Sequence, residues 1–305
     1  MQLTRRQVFG TLAAGVAYPF AEAQWLDVSR RTVVLPGLRT PIRVLHLSDL
    51  HFSWTVPLFA IEHAITAGLA EKPDLICITG DFITSGADFA SQSYATVLKR
   101  LSAFAPTYAV LGNHDGGSWS LAYEGRGDHL DIDRLLGDSS IEVLHNRSVA
   151  ASVRDSSITL VGTGDLWSEE LDGDRAFKLD GDRAFKEVTR ERGPVVVLNH
   201  NPDGKDLMAR QPWQLMLSGH AHGGQVRLPF WGGSFAPVTD KRYVEDLKPW
   251  GERQIHVSRG VGNVKGVRFR CRPEVTLLEL RNSELRSSEI QGVRSVSSFQ
   301  DSLTT

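Results

Sequence analysis

The sequence predicts an α/β (α+β) domain made of two packed mixed β-sheets flanked by helices. Three observations carry this. Short β-rich apolar runs from residue 42 onward end repeatedly in polar clusters, helical patterns separate the first three of these runs, and the second half of the chain is denser in strands than the first. Strand–helix–strand spacing requires a parallel sheet with crossover helices, and such sheets carry their sites at the carboxyl ends of the strands.

Taken in order, the first run spans residues 42–49 and ends in Asp49. The second spans 74–81 and ends in Asp81, and the third spans 108–115 and ends in Asn113, His114 and Asp115. Helical patterns over 57–70 and 91–104 connect them. Further strands are expected near 141–146, 157–163, 195–199, 213–218, 225–229, 254–258 and 274–280. No Pro/Gly/Ser-rich linker divides the middle, so one catalytic domain covers 42–281. Residues 24–41 read as a lead-in, and 282–305, rich in Ser and Thr, as a mobile tail. Leu171-Asp-Gly-Asp-Arg-Ala-Phe-Lys178 is repeated at once over 179–186. Two copies do not make a repeat architecture, and the Asp-Gly-Asp pairs lack the EF-hand ligand spacing, so a lengthened surface helix or loop is expected.

Residues 1–23 read as a bacterial export signal. Arg5-Arg6 lies in a polar start, a modestly apolar stretch runs over 8–20, and Ala21-Glu22-Ala23 offers a small-x-small cleavage site. Thr4-Arg5-Arg6-Gln7-Val8-Phe9 resembles the twin-arginine signal, which implies the twin-arginine export machinery as a partner. Gly10, Gly15 and Pro19 argue against a helix belonging to the fold. The apolar stretch falls short of the roughly 20 residues of a comfortable spanning helix. The chain is therefore expected in the periplasm or on the outer face of the cytoplasmic membrane, with the signal either cleaved or kept as an anchor.

Composition removes several function classes. The 305 residues are 41% hydrophobic and 23% charged, which excludes fibrous and wholly disordered chains. Lys+Arg 34 against Asp+Glu 36 leaves a net charge of -2, without the basic surplus expected of a duplex-binding protein. Two cysteines, Cys77 and Cys271, exclude a disulfide framework and a Cys-based zinc site. Cys77, inside Leu75-Ile76-Cys77-Ile78, reads as a small buried hydrophobe rather than half of a bridge.

The chemistry gathers in five clusters. Asp49-Leu50-His51 places two ligand types at i and i+2, which on an extended strand end point to one face. Gly80-Asp81 adds a carboxylate able to bridge two cations, and Gly112-Asn113-His114-Asp115 adds an amide oxygen and an imidazole. Residues 195–199 lead an apolar run into His200, and Gly219-His220-Ala221-His222-Gly223-Gly224 sets two histidines among glycines. The other histidines, His46, His63, His129, His145 and His256, fall outside these clusters and read as structural or surface groups. Asp49, Asp81 and Asn113 with His51, His200, His220 and His222 exceed the ligand set of one tetrahedral ion. They suit two cations sharing a bridge, with Mn favoured and Fe or Zn as alternatives over Ca or Mg.

In this order the motifs resemble the calcineurin-like metallophosphoesterases over roughly residues 42–280. The tract Gly219–Gln225, with Phe235-Ala-Pro237, Asp240-Lys-Arg-Tyr243, Arg259-Gly260 and Arg272-Pro-Glu274, is similar to a branch of bacterial exported or membrane-associated phosphodiesterases related to UDP-2,3-diacylglucosamine pyrophosphatases. The resemblance implies that Asp49, His51 and His222 hold one metal, that Asn113, His200 and His220 hold the other, and that Asp81 bridges them. It further implies hydrolysis of a phosphoric ester by hydroxide held between the metals, with His114 as general acid oriented by Asp115.

The substrate is less legible. Trp54, Trp119, Trp167 and Phe230-Trp231 follow the motif clusters and read either as a mouth for an acyl chain, sugar or membrane surface, or as loop anchors. Arg259, Lys265, Arg268 and Arg270 read either as a second phosphate site or as a solvated strand face. A phosphodiesterase or pyrophosphatase on envelope lipids or nucleotides is the leading expectation. A phosphomonoesterase on the same scaffold and a non-catalytic scaffold are its rivals.

Overall fold

A computed structural model describes residues 15, 17–85, 91–178 and 193–282. Within them lie the predicted two sheets, each six-stranded. The first is built from β1 (Asp27–Val34), β2 (Ile42–Leu47), β3 (Leu75–Thr79), β4 (Thr107–Val110), β5 (Glu142–Val143) and β12 (Glu274–Arg281), in the order β1-β12-β2-β3-β4-β5. The second contains β6 (Arg147–Val153), β7 (Ser156–Gly162), β8 (Val195–Leu198), β9 (Leu215–Ser218), β10 (Asp246–Trp250) and β11 (Arg253–Val257), in the order β10-β11-β9-β8-β7-β6. Strands β2 to β5 run parallel, as do β7, β8, β9 and β11, whereas β12 is antiparallel to β2.

Both faces of the central strands are covered, which is why they read as continuous apolar runs. Val44, Leu75, Cys77 and Leu278 of the first sheet pack against Ile158, Leu160, Val196, Leu215 and Leu217 of the second. On the outer side of the first sheet, Leu45, Leu47, Ile76 and Ile78 meet α1 (Leu58–Ala70) and α2 (Gln92–Phe104) through Ile61, Ile65, Tyr94 and Leu98. Ser91 caps α2 by accepting from the Tyr94 N–H. Beyond the second sheet, Trp213 and Met216 close a third apolar cluster with Val197 and Ile255. Cys77 and Cys271 are buried and unpaired.

Several expectations are corrected. The lead-in at 24–41 contains a full strand, β1, parallel to β12 throughout its length. Arg30 and Arg31 disguise it, because their guanidiniums leave the sheet to pair with Glu71 and Asp246. Strands β6 and β10 and the helices α3 (Gly117–Ala122) and α4 (Leu130–Asp138) are likewise additions. The strand expected at 225–229 is reduced to isolated bridges, Val226 to Phe269 and Leu228 to Gly232. The first copy of the duplicated octapeptide forms a single short turn of helix, Gly173–Ala176, capped by Asp172, while the second copy lies outside the described residues. Most of the export signal and the tail from 283 onward also lie outside them. Residues 17–22, by contrast, are helical and rest on the domain. Among the described residues no helix is long and apolar enough to cross a membrane.

Candidate metal centre

The loops after β2, β3 and β4 of the first sheet meet those after β8 and β9 of the second at one end of the sandwich, and the chemistry collects there. Backbone pairing continues past the strands: Asp49 N–H donates to the Gly80 carbonyl, His51 N–H to the Asp81 carbonyl, and Gly219 N–H to the His200 carbonyl. The loops then turn sharply. Asp49, His51, Asp81, His220 and His222 all hold left-handed backbone, with φ of 50°, 49°, 57°, 65° and 48°. The i, i+2 pairs therefore reach one point through left-handed turns and not, as expected, along an extended strand. Such backbone is costly for residues with a Cβ and concentrates at functional sites.

Asp49, His51, Asp81 and His222 are buried, and one ligand atom from each lies within 4.8 Å of all the others. His222 Nε2 stands 3.0 Å from His51 Nε2 and 3.4 Å from Asp49 Oδ1. Asp81 Oδ2 lies 3.4 Å from His51 Nε2 and 3.3 Å from His200 Nε2, so this carboxylate sits between two groups of donors. On its far side, Asn113 Oδ1 is 3.2 Å from His200 Nε2, and the His220 ring is 5.0 Å from the His200 ring. The structure thus brings together all seven side chains singled out as ligands.

Backbone carbonyls orient the imidazoles. His200 Nδ1 donates to the Thr79 carbonyl at 2.7 Å, which turns Nε2 to the centre. His220 Nε2 donates to the Pro237 carbonyl at 3.0 Å, leaving Nδ1 as its lone pair. Arg268, fully buried, donates to the carbonyls of Arg259, Gly260, Gly262 and Cys271 and comes within 3.4 Å of His222 Nδ1. These partners could not be read from sequence, because any residue supplies a carbonyl.

Two expected roles change. Asp115 does not orient His114. Its carboxylate accepts the N–H groups of Gly112, Asp81 and Phe82, fastening the loop after β4 to the loop after β3. The His114 ring is held instead by Nδ1, which donates to the Thr84 carbonyl at 2.5 Å. Its half-buried ring lies 4.9 Å from the His51 ring and 4.7 Å from Trp119. Arg259 and Arg268 are not free for a second phosphate: Arg259 is paired with Asp27 and Glu274, and Arg268 is enclosed. Lys265 and Arg270 remain exposed. Trp119 and Trp167 line the approach, with Trp167 4.2 Å from His220, while Trp54 and Phe230 project into solvent.

The electrostatics fit divalent cations. Burial pushes Asp49 up to about 6, with Asp81 adding repulsion. Burial also drives His51 and His220 down to about 3 and His222 well below its usual range, leaving them neutral and able to donate lone pairs. Burial alone would depress His200, but the Asp81 carboxylate outweighs it and lifts the imidazole to about 10. Asp81 in turn lies well below its usual value: burial would raise it, and His200 with His114 more than reverses this. Two buried carboxylates and four imidazoles on the two sides of Asp81 form a mixed oxygen and nitrogen donor set suited to transition metals, where a cation at His200 Nε2 would replace its proton.

Residues 42–224 match the calcineurin-like phosphoesterase family. The chain is 38% identical to the phosphodiesterase YaeI of Escherichia coli over 286 residues, covering 91% of this chain and 99% of that one. It is 29% identical to the uncharacterized metallophosphoesterase YkuE of Bacillus subtilis, covering 92% and 99%. It is 25% identical to the UDP-2,3-diacylglucosamine pyrophosphatase LpxG of Chlamydia muridarum, covering 78% and 83%.

Proposed function

This chain belongs to the calcineurin-like phosphoesterase family and is a metal-dependent phosphoesterase; within that family we propose a phosphodiesterase or pyrophosphatase that uses two divalent cations on envelope lipid or nucleotide substrates. The observation that carries this is the position of Asp81, whose carboxylate faces His51 on one side and His200 on the other. Asp49, His51 and His222 would hold one ion, Asn113, His200 and His220 the other, and Asp81 both. Manganese leads iron and zinc as the resident metal. When bound, such a pair supplies Lewis acidity and an activated water.

The chain's own residues do the rest. Asp115 keeps Asp81 and the Asn113 loop in register. His114, with Nδ1–H committed to the Thr84 carbonyl, offers Nε2 to a leaving oxygen as general acid. Trp119 and Trp167 form an aromatic wall beside it that narrows the approach and limits water. Diester and pyrophosphate chemistry is supported by relatives named phosphodiesterase and UDP-2,3-diacylglucosamine pyrophosphatase, the second pointing to lipid-linked substrates. The Arg5-Arg6 segment supports an exported enzyme, working in the periplasm or at the outer face of the cytoplasmic membrane.

The test is an activity comparison on protein reconstituted with Mn, Fe or Zn. Bis-p-nitrophenyl phosphate should turn over faster than p-nitrophenyl phosphate by about tenfold or more, a transition-state preference of ~1.4 kcal/mol. A preference for the monoester would replace this reading with a phosphomonoesterase, and absence of turnover on both would replace it with a silent scaffold.

A further inference from the structure

The proposed cleavage site is not a free end. Glu22 is 2% exposed, and its carboxylate accepts the backbone N–H groups of Arg270 at 2.9 Å and Cys271 at 2.7 Å. The Pro19 carbonyl accepts from Arg268 N–H at 2.9 Å, Tyr18 meets Phe269 edge to face at 5.8 Å, and Ala23 is buried. The segment so gripped is the one that braces the centre: Arg268 encloses the His222 loop, and the Cys271 thiol donates to the His222 carbonyl at 3.1 Å. A protease needs residues 21–23 extended and accessible, and here Ala21 and Glu22 are helical and Glu22 and Ala23 are buried. Cutting after Ala23 would also remove Glu22 and orphan two backbone donors beside a metal-ligand loop, a cost folded proteins avoid.

The other side of this segment faces outward and is aromatic. Tyr18, Phe20 and Trp25 are 43%, 56% and 59% exposed, and Phe59, 67% exposed, lines a groove with Ala23, Leu26, Val261 and Pro273. Arg272 stacks on Trp25 at 4.6 Å, and Arg270 and Lys265 are exposed nearby in sequence. Exposed aromatics mixed with cations suit the interface of an anionic bilayer. In sequence, the modestly apolar stretch over 8–20 ends within this segment.

We infer that residues 17–23 are a permanent part of the folded enzyme, so that the chain stays uncleaved and its N-terminal segment seats this aromatic face, with the adjoining metal centre, on a lipid bilayer. The inference rests on the export reading above but not on the chemistry at the centre.

The experiment is to produce the full chain with a C-terminal tag in a bacterial host and to measure intact mass in the membrane and soluble fractions. The expected result is protein that retains Glu22 and everything before it, resists carbonate extraction and is released by detergent. A mass beginning at Gln24, or uncleaved protein found in the soluble fraction, overturns the inference. Protease added to spheroplasts should digest the domain; protection would remove the export reading and, with it, the inference. In the purified full chain, Glu22→Ala should lower the melting temperature by about 5 °C, with Glu22→Gln intermediate, and an unchanged melt in both would overturn the bracing role.

Discussion

At the residue scale, the centre is assembled by side chains whose backbone would not choose these conformations alone. Asp49, His51, Asp81, His220 and His222 share left-handed φ, each costing on the order of 1–3 kcal/mol, and the surrounding ladder bonds hold them there. His114 stands apart, with one ring nitrogen already committed to the Thr84 carbonyl. We expect His114→Ala to keep its metals but lose about 10²- to 10⁴-fold in rate on alkyl diesters, and far less on p-nitrophenyl esters, whose leaving group needs no proton. Equal losses in kcat on the two substrate types would remove it as general acid. Asp115 teaches a different lesson. Its place in the motif suggested a partner for its neighbour's ring, whereas its carboxylate serves four N–H groups on two loops.

At the element scale, the turns after the strands decide whether the ligands meet. Gly219 precedes the two histidines after β9, and a Cβ there would run into the Ser48 hydroxyl and the Asp49 carboxylate. Gly112 similarly admits no Cβ beside the Asp81 carboxylate. These glycines are required by close approach of two loops rather than by positive φ. Gly219→Ala should therefore push Asp49 aside: overpacking of this kind costs about 1–3 kcal/mol, read as a lowered melting temperature, and metal analysis should show loss of the ion held by Asp49. Full metal content with normal turnover would contradict the packing. The strands carrying these turns were legible because β2, β3, β4 and β8 are buried on both faces and read as apolar runs. Strands β1, β6 and β10 were not, because Arg30-Arg31 in β1, Ala150-Ala151-Ser152 in β6 and Lys248-Pro249 in β10 break the apolar run.

At the scale of the whole molecule, the centre is a joint between two sheets. Asp49, His51, Asp81 and Asn113 come from one, and His200, His220 and His222 from the other, so the ions would cross-link the sandwich. Saturating Mn should raise the melting temperature of metal-free protein, each site adding about 2.7 kcal/mol at a hundredfold excess over its Kd, and chelation should reverse it. Elemental analysis should find two ions per chain. A single ion would leave Asp81 without a bridging role.

The sequence by itself determined which side chains are candidate ligands, their order along the chain and their place at strand ends, because apolar periodicity and motif spacing are local properties of a chain. Only the tertiary structure decided that the seven candidate ligands converge, that Asp115 ties loops together while a Thr84 carbonyl holds His114, and that Glu22 belongs to the folded domain. Those outcomes depend on backbone groups and on contacts across the sandwich, such as Glu22 with Cys271, which no local pattern encodes.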